Sequence, residues 1–150
     1  MAQSLSNILI HMIFSTKNRE PVILPEIAQQ LYSYMSATAR EYGSYVHEIG
    51  GVEDHVHILL SLPRTISVSE LVENIKKTSS KWIKTKGNVY TAFAWQGGYG
   101  AFSIGQSGYE NLRTYIQTQK DHHKKISFQE EYRMFLKKYG VPYDEKYLWD

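Results

Sequence analysis

Apolar residues fall into two alternating rhythms along the chain. From Leu5 to Ser15 they are nearly continuous, at Ile8, Leu9, Ile10, Met12, Ile13 and Phe14, which predicts a strand buried on both faces. Lys17 to Pro25 reads as the turn after it. The spacing then lengthens to a helical one. Ile27, Leu31, Tyr34, Met35 and Tyr42 recur on one face, Pro25 suits the first turn and Gly43 the stop, so a helix is expected from Pro25 to Tyr42. Ser44 to Ile49 reads as a second strand broken by Gly50-Gly51, and His55 to Leu62 as a third ended by Pro63. The short loop between these two predicts a hairpin.

Ser67, with Glu70 three residues on, is a capping box for a second helix that runs to about Lys86 with Leu71, Ile75, Thr78 and Trp82 as its inward stripe. Thr91 to Gln96 and Gly100 to Ile104 look extended, punctuated by Gly97-Gly98. Ser107 with Glu110 predicts a third helix through Leu112, Tyr115, Ile116 and Gln119 to Lys125. Ser127 with Glu130 predicts a fourth, whose stripe is Phe128, Tyr132, Phe135, Leu136 and Tyr139. The tail from Val141 carries no usable period. Strand, helix, strand, strand, helix, strand is the order of an α+β, ferredoxin-like antiparallel sheet with helices on one face, here with added C-terminal helices. The opposite face is expected to be free for a ligand, nucleic acid or a second subunit.

The chain has 150 residues, which suits one domain spanning 1–150. It contains no cysteine, so disulfides and thiolate zinc sites are excluded and any metal must be held by nitrogen and oxygen. No apolar stretch is long enough to cross a bilayer. His11 interrupts the apolar run near the amino terminus and no basic segment precedes it, so a cytoplasmic location with no membrane is expected. A formal net charge of +2 permits a nucleic-acid partner without requiring one.

His55-Val56-His57 lies in the third predicted strand, where alternate side chains share a face and both imidazoles aim at one point. Tyr115 and Gln119 stand four residues apart, so a helix sets a phenol above an amide oxygen. Each signal alone is weak, because the chain has six histidines and twelve tyrosines and both side chains are ordinary packing residues. Their combination points to a site. Asp54 reads as a turn residue rather than an orienter of an imidazole, since the strand neighbour of His55 points to the other face. Lys76, Lys77, Lys81, Lys84 and Lys86 crowd the second helix, as a solvated face or a phosphate-binding one. His122 and His123 gain from the end of a helix dipole and stay outside the site.

His55-Val56-His57, Trp95-Gln96 before Gly-Tyr-Gly-Ala-Phe-Ser, and Tyr115-Ile116-x-x-Gln119 followed by His122-His123 together resemble the small one-tyrosine HUH transposases, the single-stranded-DNA transposases of minimal insertion sequences. The resemblance runs from about Leu5 to Tyr139 and takes in Ser15-Thr16-Lys17 and Lys76-Lys77 through Ser80-Lys81-Trp82. It implies a divalent-metal-dependent nuclease and strand transferase. His55, His57 and Gln119 would bind magnesium or manganese, and Tyr115 would attack a phosphodiester, keep the 5′ phosphate and free a 3′ hydroxyl that can later reseal DNA without a nucleotide cofactor. Lys76, Lys77 and Lys81 would contact DNA. The implied partners are single-stranded DNA with hairpin-containing element ends and a second copy of the chain, with the tyrosine helix of one subunit often completing its partner's site. Gly97-Gly98 and Gly105 to Gly108 would give that helix room to swing. Domesticated relatives that act on genomic palindromes share the catalytic residues; the mobile-element branch fits better, because the first strand lacks their Gly-Thr-Trp-like opening.

Physical chemistry supplies its own reason for this set. A tyrosine with a free pKa near ~10 is a poor nucleophile at neutral pH, so a cation that polarises the phosphate is needed. Mixed nitrogen and oxygen ligation suits manganese and tolerates magnesium. Two other classes share the residues: a non-catalytic nucleic-acid-binding module that stacks bases on sheet aromatics, in which phenylalanine could replace Tyr115, and a metal-dependent hydrolase of a small substrate, which forms no covalent adduct.

Overall fold

A computed structural model describes residues 2–123 and 125–150. Among these, β1 (Leu9–Ser15), β2 (Tyr45–Val52), β3 (His55–Ser61) and β4 (Gly100–Ile104) form one antiparallel sheet in the order β2-β3-β1-β4. Helices α1 (Pro25–Glu41) and α2 (Val68–Ile83) cross one face, and α3 (Tyr109–Gln117), α4 (Gln119–His122) and α5 (Phe128–Lys138) follow β4. No helix among the described residues is long and apolar enough to cross a membrane.

The central strands sort their side chains by parity. Ile10, Met12, Phe14, Val56, Ile58 and Leu60 share a core with Ile27, Leu31, Leu71 and Ile75 of α1 and α2. Leu9 and Leu59 face Leu112 and Ile116 of α3, while Ile13 and Phe102 face Phe128, Tyr132, Phe135 and Leu136 of α5. The second face of the sheet is therefore covered, where the sequence reading left it free. The cause is the apolar stripe on α3 and on α5, which needs a partner and finds one in the apolar side chains on that face of the sheet. Burial of all seven residues of β1 follows from this two-sided packing.

Gly50-Gly51 does not break β2. The strand continues to Val52, with Gly50 opposite His57 and Gly51 opposite Val56. A Cβ on Gly50 would come within 2.8 Å of the Ile116 carbonyl oxygen, so a bare backbone here lets α3 lie directly on the strand. Gly50→Ala is expected to lower stability by about 1–3 kcal/mol through forced displacement of α3; a urea unfolding midpoint equal to the parent's would show that the helix moves at no cost.

Three further elements differ from their sequence pattern. The 91–96 segment is a turn after a short 3-10 helix (Asn88–Tyr90), bonded to the end of β1 through the Trp95–Thr16 bridge and the Gln96 N–H, which donates to the Ser15 carbonyl oxygen at 2.9 Å. Tyr90, Phe93 and Trp95 all point into the core under α2, and Trp95 Nε1 donates to Ser79 Oγ at 3.0 Å. The Ser107–Glu110 capping box is not formed, because a 3-10 turn (Gln106–Gly108) precedes α3 and Gly108 takes the cap position without a side-chain bond. The long third helix is interrupted at Thr118 (φ −106°, ψ 25°), whose hydroxyl donates back to the Thr114 carbonyl oxygen at 2.9 Å; its expected end crosses Lys124, which lies outside the described residues. By contrast Ser67 and Ser127 do cap α2 and α5, each accepting from the backbone N–H three residues on at 3.2 Å.

Candidate metal and tyrosine site

Strand β3 presents His55 and His57, both fully buried, on the face covered by α3 to α5. Their Nε2 atoms converge on one carboxylate oxygen: Glu131 Oε1 lies 2.8 Å from His57 and 3.2 Å from His55. Gln119 opens α4 and brings its Oε1 to 3.2 Å from His55 Nε2. Tyr115, one turn back on α3, donates its hydroxyl to Glu131 Oε2, and its ring lies 5.8 Å from that of His57. The structure thus brings His55, His57, Gln119 and Tyr115 together despite the break in the helix.

Both imidazoles are held from behind. His55 Nδ1 lies 2.7 Å from Asp54 Oδ1, so Asp54 orients the imidazole as well as occupying the turn between β2 and β3. The turn-only reading of Asp54 is corrected: at the first residue of the strand the chain is still bending, and strict alternation does not govern its side chain. His57 Nδ1 lies 2.8 Å from Nε2 of the fully buried His11. Such partners fix ring orientation and leave Nε2 to face the cluster. His11 Nδ1 has no hydrogen-bond partner among the described residues, so this ring can take either tautomer and follow a proton change on His57.

Electrostatics follow from burial and contact. Burial alone lowers His55, but hydrogen bonds with Asp54 and Glu131 outweigh it and raise the pKa to about 9. His57 is pulled below its ordinary value, first by burial and further by the charges of His55 and His123. Burial pushes the Tyr115 phenol up, and the Glu131 carboxylate pushes it further. Burial also opposes the charge on Glu131, yet hydrogen bonds from His123, His55 and His57 hold it well below the usual carboxylate range.

Glu131 and His123 are members of the cluster that the sequence reading left out. His123 Nε2 lies 3.1 Å from Glu131 Oε2, and donor atoms of His55, His57, His123 and Glu131 all lie within 4.8 Å of one another. A signal for Glu131 exists in the sequence: Phe128, Glu131, Tyr132 and Phe135 share one helical face, so an acid occupies a core position of α5. His122 stacks on the Tyr115 ring at 4.3 Å. Tyr115 is half-buried and lines a groove of about 760 Å³ with Leu112, Met134, Phe135, Lys138 and Tyr139.

The three candidate DNA-binding lysines separate. Lys77 and Lys81 are exposed on α2. Lys76 is turned inward, its Nζ donating to the carbonyl oxygens of Gln96 and Gly98 at 2.9 and 2.6 Å and lying 5.0 Å from the Phe14 ring centre. Trp95-Gln96 is likewise structural, with Gln96 Oε1 accepting from the Ser15 N–H at 2.8 Å.

Residues 4–119 match the family described as Transposase IS200 like. The chain is 24% identical over 116 residues to the ISDra2 transposase TnpA of Deinococcus radiodurans, covering 74% of this chain and 83% of that one. Two solved structures share the fold. One is a candidate transposase from Deinococcus radiodurans R1 (TM-score 0.62, 20% identity, 79% of this chain and 98% of that one). The other is a REP-associated tyrosine transposase bound to a REP hairpin (TM-score 0.62, 17% identity, 84% of this chain and 76% of that one).

Proposed function

Because the chain belongs to the IS200-like family of one-tyrosine transposases, and so is an enzyme of DNA transposition, we propose that it cleaves single-stranded DNA through attack of the Tyr115 phenol on a phosphodiester. The bond from phosphorus to the 3′ oxygen breaks as the tyrosine–phosphorus bond forms, and a second 3′ hydroxyl later displaces the tyrosine. One phosphodiester is exchanged for another, so no nucleotide cofactor is needed. The observation that carries this reading is the meeting of half-buried Tyr115 with buried Gln119, His55 and His57 in one cluster.

The donor set fits a divalent ion: two imidazole nitrogens and an amide oxygen, without sulfur, suit manganese or magnesium. His55, His57 and Gln119 would hold it, and when bound it would supply positive charge to the scissile phosphate. Asp54 and His11 orient the two imidazoles, and His122 holds the tyrosine ring by stacking. The substrate is a folded single strand, a reading supported by the hairpin bound to the REP-associated relative. The active species is a homodimer of this one domain. Within a single chain Tyr115 already faces its own histidines, which supports attack in cis. End-labelled hairpin oligonucleotides incubated with manganese should yield a protein-linked band on a denaturing gel, and matched duplex should not. Cleavage that leaves a free 5′ phosphate and no linked band would instead favour a hydrolase with an attacking water.

The lysines give a second check. Lys77→Ala with Lys81→Ala should weaken hairpin binding and reduce the slope of log affinity against log salt by about 1.4, with the melting temperature unchanged. Lys76→Ala should instead lower the melting temperature, since it frees two carbonyls of the 96–98 turn. Equal salt slopes in the parent and the double variant would move the DNA surface off α2.

A further inference from the structure

Glu131 is not among the residues to which the family resemblance gives a role. The family match ends at residue 119, and Glu131 belongs to α5, beyond it. Its side chain is fully buried, a place in which a carboxylate without partners would be strongly unfavourable. Each of its oxygens faces a different part of the site. Oε1 meets His57 Nε2 at 2.8 Å and His55 Nε2 at 3.2 Å. Oε2 meets the Tyr115 hydroxyl, His123 Nε2 at 3.1 Å and Gln119 Nε2 at 3.4 Å.

These separations have chemical meaning. Atoms at adjacent corners of an octahedron with bonds of about 2.1 Å are about 3 Å apart, and the Oε1 contacts to both imidazoles are of that length. Moreover, both imidazoles are braced through Nδ1, by Asp54 and by His11, so it is the Nε2 pair facing Glu131 that is left for an ion. Resting on the metal-dependent reading above, we infer that Glu131 is a further protein ligand of the divalent ion, binding through Oε1, while Oε2 keeps the Tyr115 phenol in place. One buried carboxylate thereby ties the position of the nucleophile to the occupancy of the metal site. It also adds a negative oxygen donor to a set otherwise neutral, which favours manganese and magnesium over ions that prefer nitrogen. Toward Tyr115 it acts as a positioning residue.

The test is manganese binding to the parent and to Glu131→Gln, measured by calorimetry and by the electron paramagnetic resonance spectrum of the bound ion. The substitution keeps side-chain size and removes the charge. A fall in affinity of about ten- to a hundredfold, with an altered spectrum, is expected. Equal affinity and an identical spectrum would overturn the inference. Failure of the parent itself to bind manganese would overturn instead the metal-dependent reading on which it rests. Should Glu131→Gln fail to fold, crystals of the unaltered chain soaked in manganese decide: an anomalous peak bonded to Glu131 Oε1 supports the ligand, and a peak on His55 and His57 with Glu131 out of bonding range overturns it. Tyr115-dependent adduct formation gives a separate readout of positioning. In Glu131→Gln it should remain depressed when manganese is raised to saturate the weakened site, whereas full recovery would leave Glu131 without a part in placing the phenol.

Discussion

Tyr115→Phe will fold, bind divalent ions and bind hairpin DNA like the parent, and will form no covalent DNA adduct. The ring keeps its surroundings, since its stacking on His122 and its edge contacts with His57 and Phe135 use no oxygen. What is lost is one hydrogen bond to Glu131, whose carboxylate retains its contacts with His55, His57 and His123. The stability cost is therefore confined to about 1–3 kcal/mol. Adduct yield should fall by about a thousandfold or more, the scale of deleting a nucleophile while leaving the rest of a site intact. Gln119→Ala should behave differently, losing yield at low metal and recovering part of it at high metal. Adduct persisting in Tyr115→Phe would transfer the nucleophile to another tyrosine.

The combined His55→Ala, His57→Ala variant should lose all metal-dependent stabilisation. With manganese at a hundred times its dissociation constant, the parent gains about 2.7 kcal/mol, a rise of roughly 5–10 °C in melting temperature. The variant should show none, and an equal rise in both would place the ion elsewhere. The parent's response also depends on pH in a defined direction. His55 has a folded pKa raised to about 9, so its contribution to the metal-free fold is complete below about 6.5 and is lost as pH rises toward 9. His57, His11 and His47 are lowered, so their protons leaving the unfolded chain act in the opposite direction around pH 6.5, and these groups are neutral in both folded and unfolded chains only well above it. Burial draws Lys76 down to about 8, which acts in the opposite direction above pH 8, so the window in which the His55 contribution leads is about 7 to 8. Across it the metal-free melting temperature should fall, and the manganese-dependent rise should grow, because the ion must displace the His55 proton.

Periodicity revealed most of this fold, and its failures have local causes. The continuous apolar run of β1 already required cover on both faces, yet the ferredoxin-like element order suggested an open one; the stripes of α3 and α5 resolve that tension by supplying the second layer. Gly50-Gly51 looks like a break in one dimension and is a platform for α3 in three, which only the approach of Ile116 reveals. Thr118 ends α3 through its own hydroxyl, a side-chain preference that apolar spacing does not record. At the site, His55, His57, Tyr115 and Gln119 were legible because strand and helix repeats place each pair locally. His11 was not, since its alignment beside His57 depends on the register in which Ile13 pairs with His57. Glu131 was legible in principle as an acid on the apolar face of α5, but its partners come from a strand more than seventy residues earlier.

In the proposed reaction Tyr115 becomes linked to a 5′ phosphate of single-stranded DNA. The most direct test of this linkage is peptide mapping by mass spectrometry after incubation of the unaltered chain with a hairpin oligonucleotide and manganese, followed by nuclease trimming. One modified peptide is expected, containing Tyr115 and carrying the 5′-terminal nucleotide through its phosphate, with an equal amount of released strand ending in a 3′ hydroxyl. A modification on any other residue, or cleaved DNA with every peptide unmodified, would contradict it.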